Sequence, residues 1–402
     1  MSAEDSGPAR CPVHDYPFEA PGAIDPPPLW ASLRQECPVA EVRLPSGDSA
    51  LLLTRYEDVK ATLTDPRWSR VLDPAQGAAR VPGVFGSGNR PRGEDQPRLR
   101  RLISKSFTAK RANDMRPRLT EIAEELVVDL QGGTKPGDLA KTISFPLAIR
   151  AICELLGIPE ADRDQFSRWS ELFLSMTKYT QTQIDAGRAE FIRYMMAHVE
   201  AKRSHPADDL ISELTAISDA DDGRLSNAEL ITVAMLLLIA GHESTSNMIT
   251  KMVAMLLADR SRWEALLADR GLVRTTVEEC LRMDANAGFG MPRFITEDTE
   301  LSGVPVRARS TVINSIAAAN RDPEVFDHPE QMDLARTPNV HMAFGMGSHA
   351  CLGQALARAQ LQICLDVLLT RLPGLDLAVP VEKLSPRTGL VVGGLEDLPV
   401  TW

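Results

Sequence analysis

His341-Met342-Ala343-Phe344-Gly345-Met346-Gly347-Ser348-His349-Ala350-Cys351-Leu352-Gly353 sets a cysteine at the mouth of a helix, behind a loop with two glycines. The run that follows, Leu352 to Leu372, spaces apolar residues by three and four and predicts that helix. A helix N-terminus offers unpaired N–H donors and the positive end of a dipole, which lowers a nearby thiol's pKa. Gly345 and Gly347 can take φ > 0 and let backbone lie close to a flat ligand. Gly353 removes a side chain where such a ligand would press. A lone cysteine is far more often a small core residue than a ligand, so its surroundings must decide.

Upstream, from Leu99 to Arg282, helical periodicity dominates. Segments near 98–130, 140–157, 160–177, 185–203, 226–258, 261–268 and 272–284 repeat apolar residues every three or four positions. In the longest, 226–258, Ser226 and Glu229 form a capping box. Its centre, Val233 to Ala240, is apolar nearly all round and should run through the core. Ala50 to Thr54 is β-compatible, and Tyr56 to Leu63 starts a helix. Residues 286–316, with Thr311-Val312-Ile313, predict a small sheet, and 377–402 more strands and turns. Residues 73–97 form a long irregular loop dense in proline and glycine, of a length that is usually functional or disordered. The fold class is therefore mainly α: one large helical domain with a small β-rich region over 29–402, after an extended proline-rich arm at 1–28.

The bulk numbers exclude other classes. Of 402 residues, 44% are hydrophobic and 25% charged, which is a globular profile. A net charge of −11 argues against nucleic acid or anionic membrane as a partner. The start, MSAEDSGPAR, lacks a secretory pattern. The longest apolar run, Ile231 to Gly241, is well short of the roughly 20 residues a membrane span needs. Six scattered cysteines read as reduced thiols in a cytoplasmic protein.

The cysteine loop fits F-G-x-G-x-H-x-C-x-G at every fixed position. Here the chain resembles the cytochrome P-450 family, the haem-thiolate monooxygenases, from about Asp25 to Trp402. The resemblance implies a mainly α cytochrome P-450 fold and haem b, with Cys351 as the axial iron ligand. It also implies that Phe344 and Gly345 shield the thiolate and that His349 faces a haem propionate. Thiolate ligation favours O–O cleavage.

Three further motifs stand in family order. Glu279-Cys280-Leu281-Arg282, with Arg336 in Met332-Asp333-Leu334-Ala335-Arg336, resembles the buried structural triad of the family. Ala240-Gly241-His242-Glu243-Ser244-Thr245 resembles its oxygen-activation motif, in which small residues leave room for O2 while Glu243 and Ser244 relay protons. The family usually has threonine where this chain has Ser244. A zinc-protease HExxH is excluded, because position 246 is serine. Arg98-Leu99-Arg100-Arg101-Leu102 resembles the early haem-contacting helix, with Gln96 where the family has histidine. By the same resemblance Arg100 and Arg293 pair with propionates.

Substrate contacts implied by the resemblance are Val84 and Phe85 in the irregular loop, Leu236, Ile239 and Ala240, Phe289, and Leu390 and Val391. These are apolar and suit a lipophilic secondary metabolite such as a polyketide or macrolide. Eight basic residues but one acid lie between Arg98 and Arg118, a face suited to an acidic ferredoxin or flavodoxin. No flavin or dinucleotide motif occurs, so electrons are expected from that partner and its reductase. The expected reaction uses O2 for hydroxylation or epoxidation by a monomer. Alternatives are an oxidative coupling enzyme or peroxygenase, and a noncatalytic haem sensor.

Overall fold

A computed structural model of the chain describes residues 11–81, 95–220, 225–284 and 288–402. The expected mainly helical architecture is what it shows. The N-terminal third holds strands β1 (His14–Asp15), β2 (Val39–Arg43) and β3 (Ser49–Leu53), and helices α1 (Leu29–Glu36), α2 (Tyr56–Thr64) and α3 (Asp95–Ser104). Then come α4 (Ala109–Asp114), α5 (Arg116–Gly132), the short strand β4 (Gly137–Asp138), α6 (Phe145–Leu156), α7 (Arg163–Leu174), α8 (Gln181–Ser204) and α9 (Leu210–Asp219). The long α10 (Asn227–Leu257) leads to α11 (Arg260–Ala268) and α12 (Val273–Met283). The second strand-rich region has β5 (Met291–Ile295), β6 (Thr299–Leu301), β7 (Val304–Val306), β8 (Ser310–Asn314) and α13 (Ile316–Ala319). The chain finishes with α14 (Gln354–Arg371), β9 (Asp376–Leu377) and β10 (Pro399–Thr401).

The predicted helical stretch at 98–130 is broken into three. Thr108 caps α4 by accepting from the Arg111 N–H, and Pro117 sits in the first turn of α5, where its missing N–H costs nothing. A wider π-helical turn at Ala140–Ser144 leads into α6.

α10 is the axis of the helical core. Its capping box forms as read: Ser226 accepts from the Glu229 N–H, and Glu229 accepts from the Ser226 N–H at 2.8 Å. α5, α6, α8, α9, α12 and α14 interlock around it or one another. By length and composition α10 could cross a membrane. Here it is packed inside protein and carries a buried ion pair, Lys251–Asp284 at 2.7 Å.

A five-stranded sheet, order β1-β2-β3-β8-β5, stands beside the helices. β3 and β8 pair in parallel, although some 260 residues apart, roughly, as their numbering shows. That non-local register puts α2 and the cysteine loop on one side of the sheet, where Leu53, Val59, Trp68, Val312 and Met342 share a core. The proline-rich arm folds onto the edge of this sheet. β1 pairs with β2, and the Tyr16 hydroxyl donates to the Phe289 carbonyl at 2.7 Å. This brings Cys11 within 6.3 Å (Cα–Cα) of Cys37, and the two form a disulfide. The reading of six reduced thiols is thus corrected: sequence spacing of 26 carries no sign of that approach.

Candidate active site

The cysteine loop hangs between the Glu279 triad and α14. The Met342 N–H donates to Asn320 Oδ1 at 2.7 Å, fixing the entry. Gly345 and Gly347 both stand at φ 67°, the left-handed region that glycine permits. At Gly347 an added Cβ would also lie 2.9 Å from the Leu63 carbonyl, so two constraints demand glycine. The Cys351 N–H donates to the Phe344 carbonyl at 2.7 Å, closing the loop on itself. Cys351 is solvent-accessible yet ringed by protein, at the bottom of a recess. α14 begins only at Gln354, so its dipole is one step removed. Burial therefore pushes the thiol up, opposed by the Gly353 N–H, Arg100 and Arg358.

Behind the loop is a network absent from the sequence reading. Glu278 takes the Arg358 guanidinium through both oxygens at 2.8 and 3.0 Å, and His341 Nε2 lies 3.0 Å from it. The same guanidinium stacks 4.4 Å from the Phe344 ring centroid. Burial would raise the Glu278 carboxyl, but hydrogen bonds from His341 and Arg358 hold it at about 2.

The structure brings Glu279, Arg282 and Arg336 together. Glu279 and Arg282 are fully buried and joined at 2.7 and 2.8 Å, and Arg336 Nε reaches Glu279 at 3.0 Å. Asn339 and the Asp333 N–H add to the same carboxylate. Arg282 spends its remaining donors on the Asn320, Pro329 and Gln331 carbonyls. Paired through both oxygens and all of its N–H groups, the buried Glu279–Arg282 couple is held in one arrangement.

The rim of the recess is cationic. Arg100 donates to the Ala350 carbonyl, and Arg293 is buried on β5. Arg70, which sequence reasoning missed, places Nη1 3.4 Å from His349 Nδ1. Burial and the charges of Arg70, Arg293 and Arg100 hold His349 down to about 4, so the imidazole is neutral near pH 7. Gln96 lies on α3.

On α10, Ala240 and Ser244 are exposed one turn apart on a helix that is otherwise largely buried. α10 packs against α14, whose first turn follows Cys351, so this opening and the recess lie on touching elements. The Ser244 hydroxyl donates to the Ala240 carbonyl at 3.2 Å. Glu243 faces elsewhere: it is buried, with Arg387 Nη1 and Asn247 Nδ2 each 3.4 Å away. Glu243 and Ser244 thus share no hydrogen bond. An added Cβ at Gly241 would come 2.6 Å from Ile152 Cδ1, so that glycine serves the packing of α10 on α6.

Of the apolar positions read as substrate contacts, Leu236 and Leu390 are partly open and Ala240 is exposed. Ile239, Phe289 and Val391 are buried; Phe289 packs against Tyr16, with ring centroids 5.3 Å apart. Val84 and Phe85 lie outside the described residues. Half of the basic run 98–118 is paired with carboxylates: Arg98, Lys110, Arg111 and Arg118 pair with Glu229, Asp114, Glu213 and Glu121. Arg101 and Lys105 stay exposed.

A family profile described as Cytochrome P450 matches residues 137–373. Nocardicin C N-oxygenase of Nocardia uniformis subsp. tsuyamanensis is 42% identical over 401 residues, covering 98% of this chain and all of that protein. Mycinamicin IV hydroxylase/epoxidase of Micromonospora griseorubida is 40% identical, covering 96% and 98%. The LnmA cytochrome P450 hydroxylase from the leinamycin pathway of Streptomyces atroolivaceus superposes with a TM-score of 0.88 at 39% identity, over 97% of this chain and all of that one. With the cysteine loop, the buried triad and the α10 opening arranged as above, the chain belongs to the cytochrome P450 family of haem-thiolate, oxygen-incorporating oxidoreductases.

Proposed function

We propose that the chain is a monooxygenase inserting one atom of O2 into a lipophilic secondary metabolite, by hydroxylation or epoxidation. The observation that carries this is the accessible Cys351 in its recess, with a cationic rim on one side and the Ala240–Ser244 opening of α10 on a touching element. This donor set fits haem b. Cys351 would ligate iron, while His349, Arg100, Arg293 and Gln96 would hold the propionates. Phe344 and Gly345 would cover the sulfur. Bound haem supplies oxygen activation, which a thiolate ligand assists.

The protein's own part is proton handling and positioning. For Glu243 and Ser244 to pass a proton, the carboxylate must leave Arg387 and the hydroxyl must leave the Ala240 carbonyl. Leu236, Ala240 and Leu390 give the substrate apolar contact and few polar ones, so orientation rests on shape. The secondary-metabolite class is supported by the names of the nocardicin and mycinamicin relatives. Electrons would come from a separate ferredoxin or flavodoxin with its reductase, docking near Arg101 and Lys105. We place the enzyme in the cytoplasm as a monomer.

A second reading is a peroxygenase, favoured by the separation of Glu243 from Ser244 because a peroxide-driven enzyme needs no such relay; an oxidative coupling enzyme is the further alternative. A neighbour 34% identical, cytochrome P450mel 107F1, is described as having biaryl coupling reactivity. Titrating the ferric protein with macrolides, aromatic polyketides, cyclic peptides and terpenoids tests substrate class by a low-spin to high-spin shift. Turnover of the responding compound under 18O2 then separates the readings: one labelled oxygen in product supports monooxygenation. Unlabelled coupled product would overturn it. No substrate-linked shift together with no partner-dependent turnover would indicate the noncatalytic sensor.

A further inference from the structure

The cationic rim holds one more guanidinium than the motifs account for. Arg70 follows Ser69, which forms an antiparallel bridge to Phe294 (N–H to carbonyl 2.8 and 2.9 Å). That bridge sets Arg70 beside the strand position next to Arg293. The Ser69 hydroxyl accepts from the Val71 N–H at 3.0 Å and holds the turn at Arg70. From there the Arg70 side chain runs inward to His349. The charge that acts on Arg70 is Arg100, of the same sign. Among the described residues no carboxylate lies within ion-pairing distance of either Arg70 or Arg100, whereas Arg67, Arg80, Arg98, Arg111, Arg118 and Arg282 each have one. A half-buried guanidinium beside a second one of the same charge is electrostatically costly unless an anion joins them. The chain also has Gln96 where the family has histidine, so its sequence lacks one cation of the expected set.

We propose that Arg70 is a further haem-binding residue of this chain, donating to a haem carboxylate from the α2–β5 side and supplying the charge that Gln96 does not carry. The inference rests on the haem-site reading above and adds a residue to it. Charge-assisted hydrogen bonds to carboxylate are the strong class, so losing this one should accelerate haem release about tenfold or more.

The test is the rate at which purified holoenzyme gives up haem to excess apomyoglobin, for wild type, Arg70→Gln, Arg70→Lys and Arg100→Gln. Arg67→Gln, an exposed arginine three positions earlier, is the control. Arg70→Gln should lose haem about tenfold faster, Arg70→Lys less so, and Arg67→Gln at the wild-type rate. The same pair is then compared with haem dimethyl ester, whose carboxylates are neutral: the difference between wild type and Arg70→Gln should vanish. A difference that persists with the ester would mean that Arg70 only supports its turn, and would overturn the proposal. Faster loss from Arg100→Gln with none from Arg70→Gln would overturn it while leaving the haem site standing. No change in any variant would overturn it together with the assignment of Arg100 to a propionate.

Discussion

Replacing Arg358 with methionine removes the link between the two ends of the cysteine loop while keeping an unbranched, apolar side chain. Arg358 grips Glu278 through two oxygens, Glu278 binds His341 at the loop's start, and the guanidinium covers Phe344 near its middle. The side chains of Arg358 and Glu278 keep 30% and 21% of their exposure, so this pair lies between the surface and buried regimes. Surface pairs contribute about 0–1 kcal/mol and broken buried pairs cost about 3–5; about 1–2 is apt here, plus about 0.5–1 for the cation–π contact. The loss is then about 2–3 kcal/mol. Unfolding entropy of about 2.1 cal/mol/K per residue gives about 0.8 kcal/mol/K for 402 residues, so Tm should fall by about 3 °C. The pair also carries a pH signature. The Glu278 carboxyl sits at about 2 in the folded chain against an ordinary 4.5. A lowered folded pKa means that the unfolded chain binds more protons between those values. That stability is present above about pH 4.5 and is lost as pH falls toward 2. Thermal unfolding followed by circular dichroism from about pH 2 to about pH 5 should show a shallower acid limb in Arg358→Met. The double variant with Glu278→Gln should lose less than the sum of the two singles. An unchanged Tm, or strict additivity in that cycle, would refute the network.

Glu279→Ala strands Arg282 and Arg336 in the core and should cost about 3–5 kcal/mol; purification should yield aggregated or haem-poor protein, checked by haem-to-protein ratio. Gly241→Ala drives a methyl against Ile152 and should destabilise by about 1–3 kcal/mol; Ile152→Val in the same chain should return part of the lost Tm. Ser244→Ala, once a substrate is found, should lower product formed per NADPH consumed by about tenfold or more, whereas Ser244→Thr, stiffer at χ1, should hold or raise it. Equal coupling in Ser244→Ala and wild type would show that this hydroxyl moves no proton.

What was legible in the sequence was whatever local spacing writes down. The Ser226/Glu229 box marked the start of α10, and Gly345 and Gly347 marked where positive φ is allowed, which both adopt. The Glu279–Arg282 spacing gave a pair on one helix face, though only the fold shows it buried and joined to Arg336 from 57 positions away. What escaped depends on chain crossings. Arg70 reaches His349 because Ser69 bridges to Phe294, and nothing near residue 70 marks that pairing. The Cys11–Cys37 bond needs the arm to fold back on the sheet. The Arg387–Glu243 pair spans 144 positions and turns the motif's acid away from Ser244, which no motif could reveal. The basic run at 98–118 looked like an open face because its partners, Glu213 and Glu229, lie on other helices.

The most direct test is the ferrous–CO absorption spectrum of the purified protein beside that of Cys351→Ser. The account predicts the red-shifted band of thiolate ligation in the first and its absence in the second, with haem still bound by the cationic rim. The same red-shifted band in Cys351→Ser, or its absence from the wild-type protein, would contradict the assignment of Cys351 as the iron ligand.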